Sequence, residues 1–156
     1  DFYGPGNQKS FLVEVVYKNF IKGKKANWFM DADKIHSFTY TPDAAKATAL
    51  LGNTPDAWNQ VWHLPTDPQR ITGREMVSLF AKEMKQPDKL TVMPMWLLRI
   101  LGIFIPVLRE MPEMMYQYNQ DYFFDSLKVI TFRSFLLYFL NSSLIPASFL
   151  RFLVDQ

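Results

Sequence analysis

Two histidines, His36 and His63, are the side chains of this chain best suited to proton transfer or metal binding near neutral pH. They lie far apart in sequence without a metal-ligand spacing, and the chain has no cysteine, so we predict no metal site and no thiol nucleophile. The chain also contains no glycine-rich phosphate loop, no Gly-x-Ser-x-Gly motif and no Tyr-x-x-x-Lys pair. We therefore predict no catalytic residue within this chain.

The composition of the chain limits the classes of partner that it can be expected to bind. The 17 basic and 15 acidic residues give a formal net charge of +2, and the densest basic stretch, Lys22–Lys25, has the pattern of a solvated turn. Nucleic acid is not expected as a partner, because phosphate neutralisation needs a clustered basic face. The amino-terminal residues lack a signal-peptide pattern, and the absence of cysteine is typical of a reducing compartment. We expect a cytoplasmic protein.

The elements that would position a site alternate between short strands and helices, which indicates an α/β fold. A helix is predicted from Ser10 to Ile21, ended by Gly23, and another begins at Thr41 as N-cap with Pro42 at the first helical position. A capping box, Thr72 to Glu75, begins a third helix. The predicted strands are 27–30, 35–40, 61–64 and 89–93, and after Pro94 the pattern becomes helical, with interruptions at Gly102, Pro106 and Pro112.

The carboxyl-terminal stretch has a different composition. Between Arg133 and Arg151 there is no charge, and phenylalanine, leucine and serine dominate. The length is marginal for a membrane helix, and Asn141 and Pro146 interrupt the apolar run. A buried or poorly folded segment is favoured over a membrane span.

Several motifs, in order, resemble an extended short-chain dehydrogenase/reductase of the NAD-dependent epimerase/dehydratase type. These are Asp1–Gly6, His36–Asp43, Trp62–Leu64 followed by Thr72–Glu75, the segment from Met95–Leu98 to Met115–Tyr118, and Phe123–Ser126 as a final strand. The resemblance implies the C-terminal portion of a Rossmann-type NAD(P)-binding fold with a mostly helical substrate-binding subdomain. It places the substrate-binding portion at residues 1–126 and a divergent apolar tail at 127–156.

The resemblance also implies what is absent. In this family the glycine-rich loop and the catalytic Tyr and Lys lie upstream of the Tyr-Gly-Pro segment, so we expect a missing N-terminal cofactor-binding half. The parent enzyme would use NAD or NADP, whereas this chain would bind neither tightly and would not act alone. A chain without its partner half is expected to expose apolar surface and to self-associate.

Site residues follow from the matched motifs. The resemblance assigns substrate contacts to Asp1, Tyr3, Asn7, His36 and Tyr116, and cofactor contacts to Gly4, Pro5 and Gly6. Members acting on nucleotide sugars usually have Asn at the position of Asp1 and Arg at that of His36. Here a carboxylate would repel a diphosphate and an imidazole cannot replace a guanidinium, so a sugar-like hydroxy or keto substrate is expected. If Asp1 and His36 face one cleft, the carboxylate would favour a protonated imidazole.

Each assignment has a purely structural alternative. Tyr3 to Gly6 would then only shape a turn, His36 would be an exposed histidine at a loop edge, and Asp43 would only begin a helix. His63 is interpreted as a satisfied structural histidine in an apolar strand. Core packing is favoured over pocket lining for four side chains, Met114, Met115, Tyr116 and Tyr118. At the level of function, the alternatives are a non-catalytic binding or scaffold module, or a membrane-associated protein anchored through residues 134–150.

Overall fold

A computed structural model describes residues 1–4, 6–66 and 69–132 of the chain, which have a mixed α/β structure. The described residues contain two sheets, each of two parallel strands. Pro5, the segment 134–150 and the tail beyond Phe132 lie outside the described residues. The predicted boundary between residues 126 and 127 therefore stays a prediction.

The elements follow the predicted alternation of strands and helices. The strands are β1 (Phe2–Tyr3), β2 (Ala26–Phe29), β3 (Thr39–Tyr40) and β4 (Leu90–Met93). The α-helices are α1 (Lys18–Ile21), α2 (Thr41–Gly52), α3 (Gly73–Glu83), α4 (Met95–Phe104), α5 (Pro106–Glu110) and α6 (Leu127–Thr131). Three helical segments of other types complete them: a π-helical segment, Val13–Tyr17, leading into α1, and 3₁₀ segments at Pro55–Ala57 and Met111–Gln117.

The chain forms two compact units, and the first is built around β1 and β3. Its described residues belong to Asp1–Ser10, Ser37–Gln69 and the stretch from Phe124 to Phe132. β1 pairs in parallel with β3, Phe2 beside Thr39 and Tyr3 beside Tyr40. The fully buried Ala47 of α2 and Val129 of α6 form the centre of a hydrophobic cluster in this unit. Around them pack partly buried apolar side chains: Leu50, Leu51, Trp62, Leu64, Ile130 and Phe132.

The second unit comprises Phe11–His36 and Arg70–Phe123 and is mostly helical. Its sheet pairs β2 with β4 in parallel, from Ala26 beside Leu90 to Phe29 beside Met93. Trp28 is almost fully buried, and the ring of Phe11 contacts it edge to face with the ring centroids 5.2 Å apart. This aromatic packing forms the core against which the helices lie.

Two predicted helix starts have different outcomes. The capping box of α3 is confirmed: Thr72 Oγ1 accepts from the Glu75 backbone N–H at 3.2 Å, and the Glu75 carboxylate accepts from the Thr72 N–H at 2.7 Å. The prediction of Thr41 as the N-cap of α2 is wrong, because the N-cap residue is Tyr40 and no side chain caps the helix. Thr41 is the first helical residue, and its hydroxyl donates to the Tyr3 carbonyl instead of capping the helix.

Three predicted strands differ from the structure. Residues 61–64 have no regular structure, because Trp62 packs its ring on Phe132 and donates its indole N–H to the Ala57 carbonyl instead of joining a ladder. The strand predicted at 35–40 is reduced to β3 plus isolated bridges at Ile35 and His36. The expected strand Phe123–Ser126 is also irregular. Gly102 lies within α4 and does not interrupt it.

No helix in the described part of the chain combines the length and the hydrophobicity needed to cross a bilayer.

Candidate functional site

The carboxyl ends of β1 and β3 lie side by side, and polar groups concentrate there. The Thr41 hydroxyl donates to the Tyr3 carbonyl at 2.8 Å, so the first residue of α2 ties the two strand ends together. The loop that follows β1 folds back, because the Asn7 side-chain amide donates to the Phe2 carbonyl at 3.1 Å. In open α/β sheets, ligands bind outside the carboxyl ends of parallel strands. This edge is therefore the candidate site of the first unit.

Gly4 allows the close approach between the β1 loop and the start of α2. Its φ of +134° is accessible to glycine and costly for other residues. A Cβ at this position would lie 3.1 Å from the Tyr40 ring and 3.2 Å from Pro42. The Tyr3 and Tyr40 rings pack with their centroids 5.5 Å apart. Tyr3 and Gly4 thus have a definite packing role at this edge.

The side chains at this edge offer hydrogen-bonding groups that can both donate and accept. Burial raises the pKa of the Asp43 carboxyl, and Lys46 acts against that rise. Burial and the nearby Asp43 both raise the pKa of the Tyr40 hydroxyl, which therefore keeps its proton at neutral pH. Together with the half-buried Asn7 amide, these groups can donate to and accept from the hydroxyl groups of a ligand.

His36 lies in an aromatic cluster of the second unit. The imidazole stacks on Tyr118 with the ring centroids 4.9 Å apart and the planes 13° from parallel, and Tyr122 stacks at 6.0 Å. The residue is only 5% exposed, so the interpretation as an exposed loop-edge histidine is wrong. Burial lowers the pKa of His36 to about 4, although a backbone hydrogen bond with Gln117 acts in the opposite direction. The imidazole is therefore neutral at pH 7, contrary to the expected protonated form.

The methionine and tyrosine side chains of the 3₁₀ segment divide between core and surface. Met115 and Tyr118 are buried, as core packing predicts, whereas Met114 and Tyr116 are more than half exposed. Tyr116 contacts Tyr122 edge to face with the ring centroids 6.4 Å apart. Tyr122 therefore contacts both His36 and Tyr116, the two substrate residues predicted in this unit.

The predicted site residues divide between the two units. Asp1, Tyr3 and Asn7 lie together at β1 and its loop, with the amino group of Asp1 donating to the Ser37 carbonyl at 2.7 Å. His36 and Tyr116 belong to the second unit. The cleft shared by all five residues stays a prediction. Of the predicted cofactor residues, Gly4 is buried and Gly6 exposed.

His63 has a structural partner but not the predicted environment. Its Nδ1 donates to the Asp125 carbonyl at 2.8 Å, so the interpretation as a hydrogen-bonded histidine is confirmed. The residue is exposed and lies in irregular backbone, so its predicted location in an apolar strand is wrong.

A concave surface in the second unit was not expected from the sequence. A cleft of about 460 Å³ in the second unit is lined by Lys25, Arg74, Asp88, Lys89 and Leu90. The parallel pairing of β2 with β4 creates it, because the Ala26 N–H donates to the Lys89 carbonyl and so brings the residues before both strands together. In the sequence, only the basic turn 22–25 pointed to this region. Lys89, which lines the cleft together with Lys25, lies far along the chain.

The comparisons with known proteins identify no relative of this chain. No family model matches the chain, and no curated protein or solved structure matches it significantly. The family resemblance of the motifs therefore stays a proposal, which depends on the residues and on the geometry described above.

Proposed function

We propose that this chain is the substrate-binding portion of an extended short-chain dehydrogenase/reductase of the epimerase/dehydratase type, with a Rossmann-type arrangement of its first unit. The parent protein would use NAD or NADP on a sugar-like hydroxy or keto substrate. The chain contributes the substrate pocket and no catalytic group. A preceding cofactor-binding half would supply the glycine-rich loop and the Tyr–Lys pair.

The observation that carries this proposal is the parallel pairing of β1 with β3. The two strands are separated in sequence by the whole first segment of the second unit, so they are joined by a long crossover, as neighbouring strands of a Rossmann-type sheet are. A glycine-containing loop follows the first strand directly, and a helix of 12 residues follows the second. This order of strand, loop, crossover, strand and helix supports the motif resemblance.

The chemistry of the edge supports a hydroxyl-bearing substrate. Tyr40, Asp43 and Asn7 provide donors and acceptors, and burial raises the pKa of both the Tyr40 hydroxyl and the Asp43 carboxyl. A diphosphate would instead need a guanidinium fork or a helix N-terminus free of carboxylates. Asp43 occupies the first turn of α2, which disfavours a phosphate at that helix start.

The test begins with the DNA that precedes this reading frame. We expect it to encode a glycine-rich loop and a Tyr-x-x-x-Lys pair in a frame that joins this chain. The joined protein should then oxidise or reduce sugar-like substrates with a nicotinamide cofactor. Its Tyr40→Phe variant should show a Michaelis constant about tenfold higher, because one hydrogen bond worth about 1.4 kcal/mol is lost.

A matched control separates a binding role from general damage. Tyr17→Phe removes a hydroxyl from a half-buried tyrosine of the second unit and should leave both kinetic constants unchanged. The proposal fails if the upstream DNA lacks both motifs. It also fails if Tyr40→Phe and Tyr17→Phe behave alike in the joined protein.

A further inference from the structure

One helix of the second unit presents large apolar side chains to solvent. On α4, Trp96 is 63% exposed, Ile103 77% and Phe104 79%, and Ile100 is about half exposed. The spacing of 96, 100, 103 and 104 places these four side chains on one face of the helix. We call them the α4 apolar face. The buried side of the same helix is formed by Leu98 and Gly102, so the exposure is not the result of an undocked helix.

The segment of the chain that contains the α4 apolar face has almost no hydrogen-bonding side chains. Residues 94–109 contain no Asp, Glu, His, Ser, Thr, Tyr, Asn or Gln, and the charges in this stretch are Arg99 and Arg109. Arg109 lies 3.7 Å from Glu110, which partly neutralises it. Arg99 is exposed, and among the described residues no carboxylate lies within ion-pair distance of it. The surface therefore combines bulky apolar groups with one unneutralised cation.

These side chains fit a lipid surface better than a protein partner. Protein interfaces surround an apolar centre with polar side chains that form about one hydrogen bond per 100–200 Å². Binding to a lipid surface needs fewer hydrogen-bonding side chains. Apolar side chains enter the boundary of the acyl chains, tryptophan occupies the headgroup level, and arginine contacts anionic phosphates. The α4 apolar face provides these three features, and its side chains provide no polar rim.

We propose that the α4 apolar face binds the surface of an anionic lipid bilayer, with α4 parallel to the membrane plane. The helix has 10 residues and is about 15 Å long, half the thickness of the hydrocarbon core, so it rests on the membrane and does not cross it. Trp96 and Phe104 mark the two ends of the inserted face. Arg99 contacts the headgroups. The α4 apolar face belongs to the second unit, whereas the pocket proposed above belongs to the first.

The test uses the whole chain and two kinds of unilamellar vesicle, pure phosphatidylcholine and phosphatidylcholine mixed with phosphatidylserine. Co-sedimentation gives the partition coefficient. We expect binding to the mixed vesicles about fivefold tighter than to the neutral ones, which corresponds to about 1 kcal/mol for one cation at an anionic surface. Arg99→Gln should abolish this difference between the vesicles while leaving the binding to phosphatidylcholine unchanged.

Variants of exposed apolar residues locate the contact. Ile103→Asp combined with Phe104→Asp should weaken binding at least about tenfold, because two inserted side chains become charged. Val61→Asp is the matched control, since Val61 is 81% exposed but lies in the first unit, and it should bind as the unmodified chain does. All these positions are exposed, so thermal melts followed by circular dichroism should be unchanged.

Three outcomes would overturn the proposal. The first is no binding to either vesicle. The second is undiminished binding of the Ile103→Asp, Phe104→Asp variant, which would assign vesicle binding to another segment. The third is a dimer in light scattering that this variant dissociates and Val61→Asp does not, with no vesicle binding, which would identify a second copy of the chain as the occupant.

Discussion

His36 illustrates how burial changes what a histidine can do. Its imidazole is stacked on Tyr118 and contacts Trp28 edge to face, with the ring centroids 6.5 Å apart. A cation in this position would lose its hydration, which is why the pKa of His36 falls to about 4. The histidine therefore contributes a neutral aromatic ring to the packing of the second unit and not a charge.

A pH dependence of stability follows from the lowered pKa of His36. Between pH 6.5 and about 4 the unfolded chain binds a proton that the folded protein does not, so the free energy of unfolding falls as the pH falls through this window. The loss should reach about 3 kcal/mol once the pH is below about 4. His36→Phe should remove this component, as measured by urea unfolding at several pH values.

The buried, neutral imidazole predicts different slopes of stability against pH for the unmodified chain and for His36→Phe. Equal slopes for the unmodified chain and His36→Phe would contradict the buried, neutral imidazole.

The environment of His36 could not be predicted from the sequence. Its ring partners Tyr118 and Tyr122 lie more than eighty positions further along the chain, and the Tyr122 N–H donates to the carbonyl of the preceding residue, Ile35, at 2.9 Å. No local pattern around residue 36 indicates those contacts. The prediction of an exposed or substrate-facing imidazole depended on its sequence neighbours alone.

At the scale of elements, two glycines in helices provide a matched pair. Gly73 is the first residue of α3, and a Cβ there would lie 2.3 Å from the Trp28 ring, which is almost fully buried. Gly52 is the last residue of α2, and a Cβ there would meet no atom within 4 Å. The two positions have similar helical backbones and opposite surroundings.

Gly73→Ala should therefore destabilise the protein by about 3 kcal/mol, because the Trp28 ring has no space to move. Gly52→Ala should be neutral or stabilising by about 0.5 to 1 kcal/mol, because alanine reduces the entropy of the unfolded chain. Thermal or urea unfolding measures both. A destabilisation by Gly52→Ala as large as that by Gly73→Ala would contradict the packing assigned to Gly73.

Local signals predicted some elements and failed for others. The capping box of α3 was predictable because its residues, Thr72 and Glu75, are three positions apart and satisfy each other's backbone groups. The strand at 61–64 was not, because a four-residue apolar run fits a strand or an irregular packed segment equally well. The conformation of residues 61–64 depends on residues far along the chain. Trp62 packs against Phe132, and the Val61 carbonyl accepts from Lys128 at 2.8 Å.

At the scale of the whole molecule, the first prediction concerns the nicotinamide cofactor. The chain lacks a glycine-rich loop whose backbone N–H groups could hold a pyrophosphate, so it should bind NADH and NADPH no better than about millimolar. Titration followed by nucleotide fluorescence measures this affinity. A micromolar dissociation constant would contradict the assignment of cofactor binding to a preceding half.

The α/β class of the molecule was predictable from the alternation of short apolar runs with capped helices. The parallel pairings were not, since β1 pairs with β3 and β2 with β4, and in each pair another strand lies between them in the chain. The division of the chain into two units could not be predicted from the sequence either. It depends on which distant segments share a core, such as Ala47 with Val129, and neither residue has a local feature that identifies the other.

The discontinuous composition of the units has a consequence for synthesis on the ribosome. The chain passes from one unit to the other four times, and the first unit needs its last segment for completion. The Ser37 hydroxyl accepts from the Phe124 N–H, and Thr66 pairs with the buried Ser126. The second unit has all its residues once Phe123 has left the exit tunnel, whereas β1, which is synthesised before any part of the second unit, is completed as part of its own unit only later. Nascent chains stalled before Phe124 therefore expose the apolar side of α2 to chaperones.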